Sequence, residues 1–421
     1  MHIIIKKIKH NIYIFKIVKF IIIYFFNFNI LIFSYGESMI ERLPKAEGNL
    51  KLGPIQLHPA ISITEKWNDN IYFDIKDKKE DYISTITGGM LLSLGQEFSF
   101  NIGYLVDYHF YSKNKKESFL SHNSFVEMDM NYPSGFKVYG SNKNIVTYDP
   151  RDAPDNPLRA KRMTNTAKGQ IGYKSTSDKT KIGLYYTNEN LDYFSKHNNI
   201  FDRQKHIGNS LISYYFSPKT ALEIEYQFLW EEYKNRDISN IDSKNHTGYG
   251  GFSWSDENIY KILLKYGKQW IKYDNEDLTD EMIDVFKTSI DYKFGLFGKT
   301  DLMFSGNHSV VNTPYNGNII LELSPASYYL STNLKVKLLS NFTSKVRFYV
   351  HYNYEMRDYG VLDKNFSARS DKIQRMGAGL SVKPIGIILL SIQYDSTKNK
   401  SNDKDRNLVN NTAFFNISVA L

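Results

Sequence analysis

One polar stretch carries the side chains best suited to metal chemistry: Asp149, Arg151, Asp152 and Asp155. Calcium takes oxygen ligands, so three neighbouring carboxylates invite that comparison. Pro150, Pro154 and Pro157 interleave with them, the spacing is not that of an EF-hand, and a solvated loop is the better reading. Asp69, between Asn68 and Asn70, is a second oxygen-rich spot, but Asn and Asp also set turns, and that reading is favoured. The ten histidines form no HExxH pair. For nucleophilic catalysis, His122 and Ser124 share a strand face, as do Ser391, Gln393 and Asp395. No GxSxG elbow accompanies them. No P-loop or Rossmann glycine fingerprint occurs, and Gly88-Gly89, Gly250-Gly251 and Gly377/Gly379 read as bends and bulges of a curved sheet. What remains is a set of polar residues recurring along strands: Glu127, Asp129, Glu223, Glu225, Gln227, Lys265, Lys287, Lys345, Arg347 and His351. Their chemistry is that of a wet, charged wall along which a solute moves. No catalytic residue, metal or cofactor is expected.

The elements that position this wall alternate with period two. In Ala221–Trp230, Leu222, Ile224, Tyr226, Phe228 and Trp230 share one face, while Glu223, Glu225 and Gln227 share the other. Successive side chains of a strand point to opposite faces, so this segment is apolar on one side and polar on the other. The same split recurs around Val126–Tyr132, Val346–Tyr354 and Ile388–Tyr394.

The connections alternate too, in length. Tight turns occur near Gly95-Gln96, Pro133–Gly135, Ser175–Asp178, Ser217–Lys219, Asp256-Glu257, Gly295–Gly298, Ser340–Phe342 and Lys383-Pro384. Longer polar links lie near 68–80, 112–116, 149–159, 195–201, 235–244, 274–281, 314–325, 358–369 and 399–407. Eight short and nine long connections join eighteen strands, within a range of 16–18. This pattern predicts an all-β protein: a closed antiparallel transmembrane β-barrel over 54–421, with both chain ends in the periplasm. Tyr132, Tyr226, Trp230, Tyr266, Tyr292, Tyr354, Tyr394 and Phe415 fall on the apolar faces and are expected at the lipid interfaces. In the last strand Phe415, Ile417, Val419 and Leu421 alternate with polar or small residues, the form of a barrel assembly signal, although Leu421 stands where such strands commonly end in an aromatic.

The first 36 residues are an address. Lys6, Lys7, Lys9, Lys16 and Lys19 precede the apolar run Phe20–Phe33, and Ser34 and Gly36 supply small residues for cleavage. Residues 37–53 then form a short periplasmic segment. The whole chain of 421 residues carries a net charge of +8, which falls to +3 when those five lysines leave. The basic balance therefore gives no argument for nucleic-acid binding. Aromatics make up 15% of the chain, too many for a disordered one, and the absence of cysteine excludes a disulfide scaffold.

Several stretches resemble a family of bacterial outer-membrane barrels, the putative β-barrel porins of the second type. Leu52–Ser62, followed by Trp67-Asn68-Asp69-Asn70-Ile71-Tyr72, is similar to the family's first strand and its Asn-Asp-Asn element. Asp81–Ile86 resembles the next strand, Asn131–Gly135 an early periplasmic turn, and Ser217–Thr220 a later one. The likeness runs over most of 50–421. It implies an outer-membrane barrel of about this strand number, related to barrels of exopolysaccharide loci, and carries over no catalytic or binding residue. The expected function is a passive porin-like conduit, with exopolysaccharide or small polar solutes as cargo. A closed accessory barrel of the envelope is the alternative, and a membrane-embedded hydrolase a lesser one. Outer-membrane lipid and the barrel assembly machinery are the expected partners.

Overall fold

The computed structural model describes residues 50–420 except 96–97, 150–158, 197, 236–241, 257, 275–279, 296–297, 313–327, 360–368 and 404–405. The expected signal segment 1–36, most of 37–53, Arg151, Asp152, Asp155 and Leu421 lie outside the described residues. The chain forms β1 (Leu50–Leu52), β2 (Ile55–Asn68), β3 (Asp81–Leu94), β4 (Phe98–Tyr111), β5 (Phe119–Asn131) and β6 (Phe136–Tyr148). These are followed by β7 (Lys161–Lys174), β8 (Thr180–Tyr193), β9 (Arg203–Ser217), β10 (Thr220–Tyr233), β11 (Ser243–Asp256), β12 (Tyr260–Tyr273) and β13 (Glu281–Phe294). The remaining strands are β14 (Lys299–Asn312), β15 (Tyr328–Asn341), β16 (Val346–Tyr359), β17 (Ser370–Ile385), β18 (Ile388–Ser401) and β19 (Leu408–Ala420).

From β2 onward every strand pairs antiparallel with the next, and β19 pairs back onto β2 from Thr412↔Asn68 to Ala420↔Ala60. Eighteen strands thus close into one ring, with β1 a short addition paired to the start of β2. Closure leaves no open edge at the seam, which is what a sheet in hydrocarbon requires.

The hydrophobic pattern is inverted relative to a water-soluble body. In β10, Leu222, Ile224 and Tyr226 are 40%, 58% and 46% exposed, whereas Glu223, Glu225 and Glu231 are buried. The same parity runs round the ring: Ile61 and Ile63, Ile86 and Met90, Leu184, Ile212, Met376 and Ile392 all stand on the outer surface. An apolar skin this continuous needs lipid against it.

Connections of two to five residues gather at one end of the ring and the longer ones at the other. The turn expected at Lys383-Pro384 is displaced. β17 runs on to Ile385, its pairing with β18 slips between Val382 and Ile385, and the chain reverses at 386–387. Proline has no N–H for the ladder, so Pro384 sits in the irregularity and not at the tip. The expected bulges at the paired glycines are also corrected, because register shifts occur only near Thr220/Ala221 and Val382/Ile385 among the described pairings. Gly89, Gly377 and Gly379 instead give clearance: a Cβ there would strike Leu105, the His351 ring with Asp395, and the Tyr349 ring.

Aspartates tie down the long-loop end. Asp202, Asp242 and Asp280, just before β9, β11 and β13, accept the backbone N–H groups of Tyr193, Tyr233 and Tyr273 at 2.6, 2.7 and 3.1 Å. Burial pushes the Asp202 carboxyl up even so. In the exposed loops the Lys113 ammonium, with the Trp67 indole, holds Glu80 below the usual carboxylate range. Asp69 does a different job. Its two carboxylate oxygens accept Asn411 N and Asn411 Nδ2, both at 2.7 Å, and Asp69 N donates to Asn411 O. It is a latch across the closing seam between residues 342 positions apart. Replacing it, Asp69→Ala, removes two charge-assisted bonds, and the folded barrel is expected to lose about 2 kcal/mol. Urea unfolding in lipid vesicles, followed by the heat-shifted gel band, measures this; an unchanged midpoint would show that the seam does not need the latch.

Candidate functional site

The lumen wall is built from the inward parity of the strands. Its best-formed cluster spans β9 to β13. Lys265 Nζ reaches Glu223 Oε2 and Glu225 Oε2, each at 2.7 Å. Lys287 Nζ donates to Glu225 Oε1 at 2.7 Å, and Asn209 Nδ2 donates to the same oxygen at 2.7 Å. The Lys287 ammonium also lies 4.4 Å from the Tyr249 ring centroid. Like charges face each other across the strands, Lys265 opposite Lys287, and Glu225 makes this tolerable by standing between them. Gln227 continues the same face of β10.

A second cluster lies on β15 to β18. Lys335 and Lys337 point inward opposite Asn353 and His351. His351 Nε2 is 3.5 Å from Asp395 Oδ1, and the Lys337 ammonium is 5.9 Å from the Tyr349 ring centroid. Above them Glu355 Oε1 accepts from Arg357 at 2.6 Å, and Glu355 Oε2 lies 3.3 Å from Arg375. On β5, Glu127 accepts the Tyr139 hydroxyl at 3.4 Å, and Asp129 pairs with Lys137 at 3.0 Å. Arg347 sits at the short-turn mouth, bonded to Asn341 Oδ1. Lys345 is not on a strand wall. It lies in the turn before β16, where its Nζ donates to Pro384 O at 3.2 Å.

Sequence reasoning missed several members of the wall: Lys335, Lys337, Arg375, the Glu355–Arg357 pair and Glu231, which takes Lys205 at 3.0 Å. Alternation of Lys335 and Lys337 with Leu334, Val336 and Leu338 was the available signal. Nothing in the sequence announced that the top of β14 leaves the wall. Pairing of β13 with β14 stops at Phe286↔His308. Beyond it Val310 N donates to Gln269 Oε1 two strands away, and Val310 packs with the inward Ile271 and Tyr273 of β12. Tyr328 and Leu330 of β15 join that cluster, and Tyr328 donates its hydroxyl to Glu281. The upper β14–β15 hairpin is therefore folded into the lumen against the inner face of β12 and β13.

The outer face carries the aromatics. Tyr226, Tyr266 and Tyr394, with Tyr104 and Tyr186, are each the seventh residue of a strand rising from the short-turn end. Six strand steps at the usual tilt place them about 15 Å above the turns. Their hydroxyls lie 2.7 Å from Nδ1 of His246, 2.7 Å from Asp284, 3.1 Å from Asn411, and 2.7 Å from Nδ1 of His122 and of His206. Trp230 stacks on His206. Tyr354 and Phe415 share the outward parity, while Tyr132, edge-on to Phe98, and Tyr292 belong to a lower tier near the turns. His122 and Ser124, weighed as a nucleophile pair, point outward, with His122 held by Tyr104. Phe415, Ile417 and Val419 face outward on β19, the strand that closes the ring. Among the described residues no group of three His, Cys, Asp or Glu could hold a metal ion.

A closed ring with a polar interior, an apolar skin and an aromatic girdle is the architecture of an outer-membrane channel. The model of the family described as Putative beta-barrel porin 2 matches residues 45–421. The chain belongs to that family. Membership makes it a porin-like barrel of the outer membrane. No curated protein matches the chain. Among solved structures, the porin is similar to OccK2 (OpdF) of Pseudomonas aeruginosa, at 10% identity over 87% of this chain and 98% of that one, with a TM-score of 0.49. It is similar to opdK of the same organism, at 8% identity over 87% and 98%, with a TM-score of 0.46, and to OccAB2 of Acinetobacter baumannii, at 10% identity over 88% and 99%, with a TM-score of 0.46.

Within this porin, Glu225 is the test of the wall. Glu225→Gln leaves Lys265 its pair with Glu223 but strips Lys287 of its carboxylate with Lys265 still opposite it, at a cost of about 3 kcal/mol in unfolding free energy. Adding Lys287→Met removes the uncompensated charge and leaves the Lys265–Glu223 pair intact, and is expected to restore most of the loss; a double variant no more stable than the single one would show that the cluster does not act as a unit.

Proposed function

We propose that the porin is a passive conduit for polar solutes, with carbohydrate chains, exopolysaccharide among them, as its substrate class. The long-loop end faces outward and both chain ends face the periplasm. The observation that carries this reading is the lumen wall itself, in which charges of both signs are set close together, as Lys265 and Lys287 with Glu225 and Arg357 and Arg375 with Glu355. Inward tyrosines stand beside hydrogen-bonding groups, Tyr139 next to Glu127 and Tyr349 next to Gln393. A sugar offers the same combination, an apolar ring face edged by hydroxyls. Movement is down a gradient, and no covalent step is proposed. The outward face of Phe415, Ile417 and Val419 on the closing strand is the surface we assign to the assembly machinery.

The β14–β15 hairpin inside the lumen favours a second reading, an accessory barrel that stays shut. Planar-bilayer recordings separate the two. Stepwise conductance from the purified barrel supports the conduit, and folded protein silent at every voltage removes it. Val310→Asp places a charge in the Ile271–Tyr273 contact that holds the hairpin, and single-channel conductance is expected to rise. If it stays at the wild-type value, the hairpin does not set the bore. Lys335→Glu with Lys337→Glu is expected to shift permeability toward cations, read as a change in reversal potential across a salt gradient.

A further inference from the structure

We propose that the outer face of β17 and β18, at the long-loop rim, is a binding site for the phosphate groups of an anionic glycolipid in the outer leaflet. Lys372, Lys398 and Lys400 are exposed on the outward parity, and register places Lys372 opposite Lys400. Lys78 joins them from loop 69–80, tethered by its Nζ to Val409 O at 3.1 Å. Between loop 69–80 and the upper ends of β18 and β19 lies a groove of about 350 Å³, lined by Ile75, Lys78, Lys398, Lys400, Leu408 and Val409.

What marks this sector is a cluster of three outward lysines on two paired strands. At other points of the long-loop end Lys113 has Glu80, Lys234 has Asp192, Lys244 has Asp274 and Lys268 has Asp284, while Lys161 lies over the Phe194 ring and Lys272 stands singly opposite the paired Lys244. Among the described residues no carboxylate lies within 4.0 Å of the ammonium groups of Lys372, Lys398 and Lys400. Of the acids nearby in the chain, these described ones are engaged already. Asp69 holds Asn411, Asp74 accepts the N–H groups of Lys76 and Asp77, Asp77 pairs with Lys79, Asp358 accepts Ser370 Oγ, and Asp403 pairs with Arg406.

The vertical order matches an amphiphile. Leu380 and Ile392, paired in register, lie lowest, Tyr394 follows with its hydroxyl on Asn411, and the lysines stand above it. Four residues separate Tyr394 from Lys398, about 13 Å along the strand. Acyl chains against the apolar band therefore bring their head group level with four ammonium groups. Lysine gives a mobile point charge with three donors, suited to a phosphate on a flexible head group. The groove's apolar floor, Ile75 with Leu408 and Val409, favours a lipid over free phosphate, which would gain nothing from it.

This site rests on the long-loop end reaching the outer leaflet, and its test does not depend on conduction. The purified full-length barrel in detergent is titrated with bis-phosphorylated lipid A and with its dephosphorylated form, and bound lipid is counted by native mass spectrometry. Wild type is expected to retain the phosphorylated lipid and not the dephosphorylated one. The triple variant Lys372→Gln, Lys398→Gln, Lys400→Gln is expected to bind it about a hundredfold more weakly, at the ordinary worth of a lysine beside an anionic membrane surface. Lys268→Gln, in the paired sector, is expected to bind as wild type does, and the heat-shifted gel band confirms that each variant is folded. Equal retention of the two lipids, a triple variant that binds as wild type, or displacement of the lipid by inorganic phosphate overturns the proposal. Conductance in phosphatidylcholine bilayers free of this lipid is measured separately, so a failed conduit and a failed lipid site give different results.

Discussion

Backbone hydrogen bonding in a medium without water is the constraint on which the rest of this molecule depends. Hydrocarbon offers nothing to an unpaired N–H or C=O, and each one left open costs several kcal/mol. A sheet meets that demand only by pairing its last strand with its first. The pairing of β19 with β2 is therefore what makes the other strands tenable in lipid. Asp69, at the top of that seam, adds two charge-assisted bonds to Asn411 where the ladder ends and the loops begin.

Closure also decides what the side chains face. Once the ring is sealed, one parity of each strand meets lipid and the other meets the lumen, except where the upper β14–β15 hairpin turns inward. Apolar residues outside and charges inside follow from that, and so does the burial of Glu225 between Lys265 and Lys287. Many of those charges stand close enough to bond one another, as Lys265 and Lys287 do with Glu225 and Arg357 and Arg375 do with Glu355. A polar solute meets partners of both signs along the wall.

The same logic shapes the outer surface. Tyrosines at the seventh position of several rising strands put their rings in the upper lipid band, and their hydroxyls are satisfied by a histidine, aspartate or asparagine on the neighbouring strand. Each acceptor lets a polar tip sit at the edge of the apolar band without an unmade bond. Above this tier several lysines of the rim carry an acidic neighbour, and the β17–β18 sector gathers three that, among the described residues, have none within bonding distance.

Strand number, the alternation of short and long connections, and the inward or outward sense of nearly every strand residue were legible in the sequence. The reason is that a strand's side-chain period is two, and lipid and water sort the two faces without reference to distant residues. The girdle residues Tyr226, Tyr266 and Tyr394 and the wall residues Glu223, Glu225, Lys265 and Lys287 could be placed on their faces for the same reason. Other features came only from the tertiary structure. Lys345 reads as a strand residue by parity yet sits in a turn, because where a strand ends depends on its neighbour's register. Pairings of charges on different strands, such as His351 with Asp395 or Arg375 with Glu355, need that register as well. The folding of β14 and β15 into the lumen depends on packing between Val310 and Ile271, residues of strands that are not even neighbours in the ring. Periodicity is a property of one strand, whereas contacts of that kind belong to the closed cylinder.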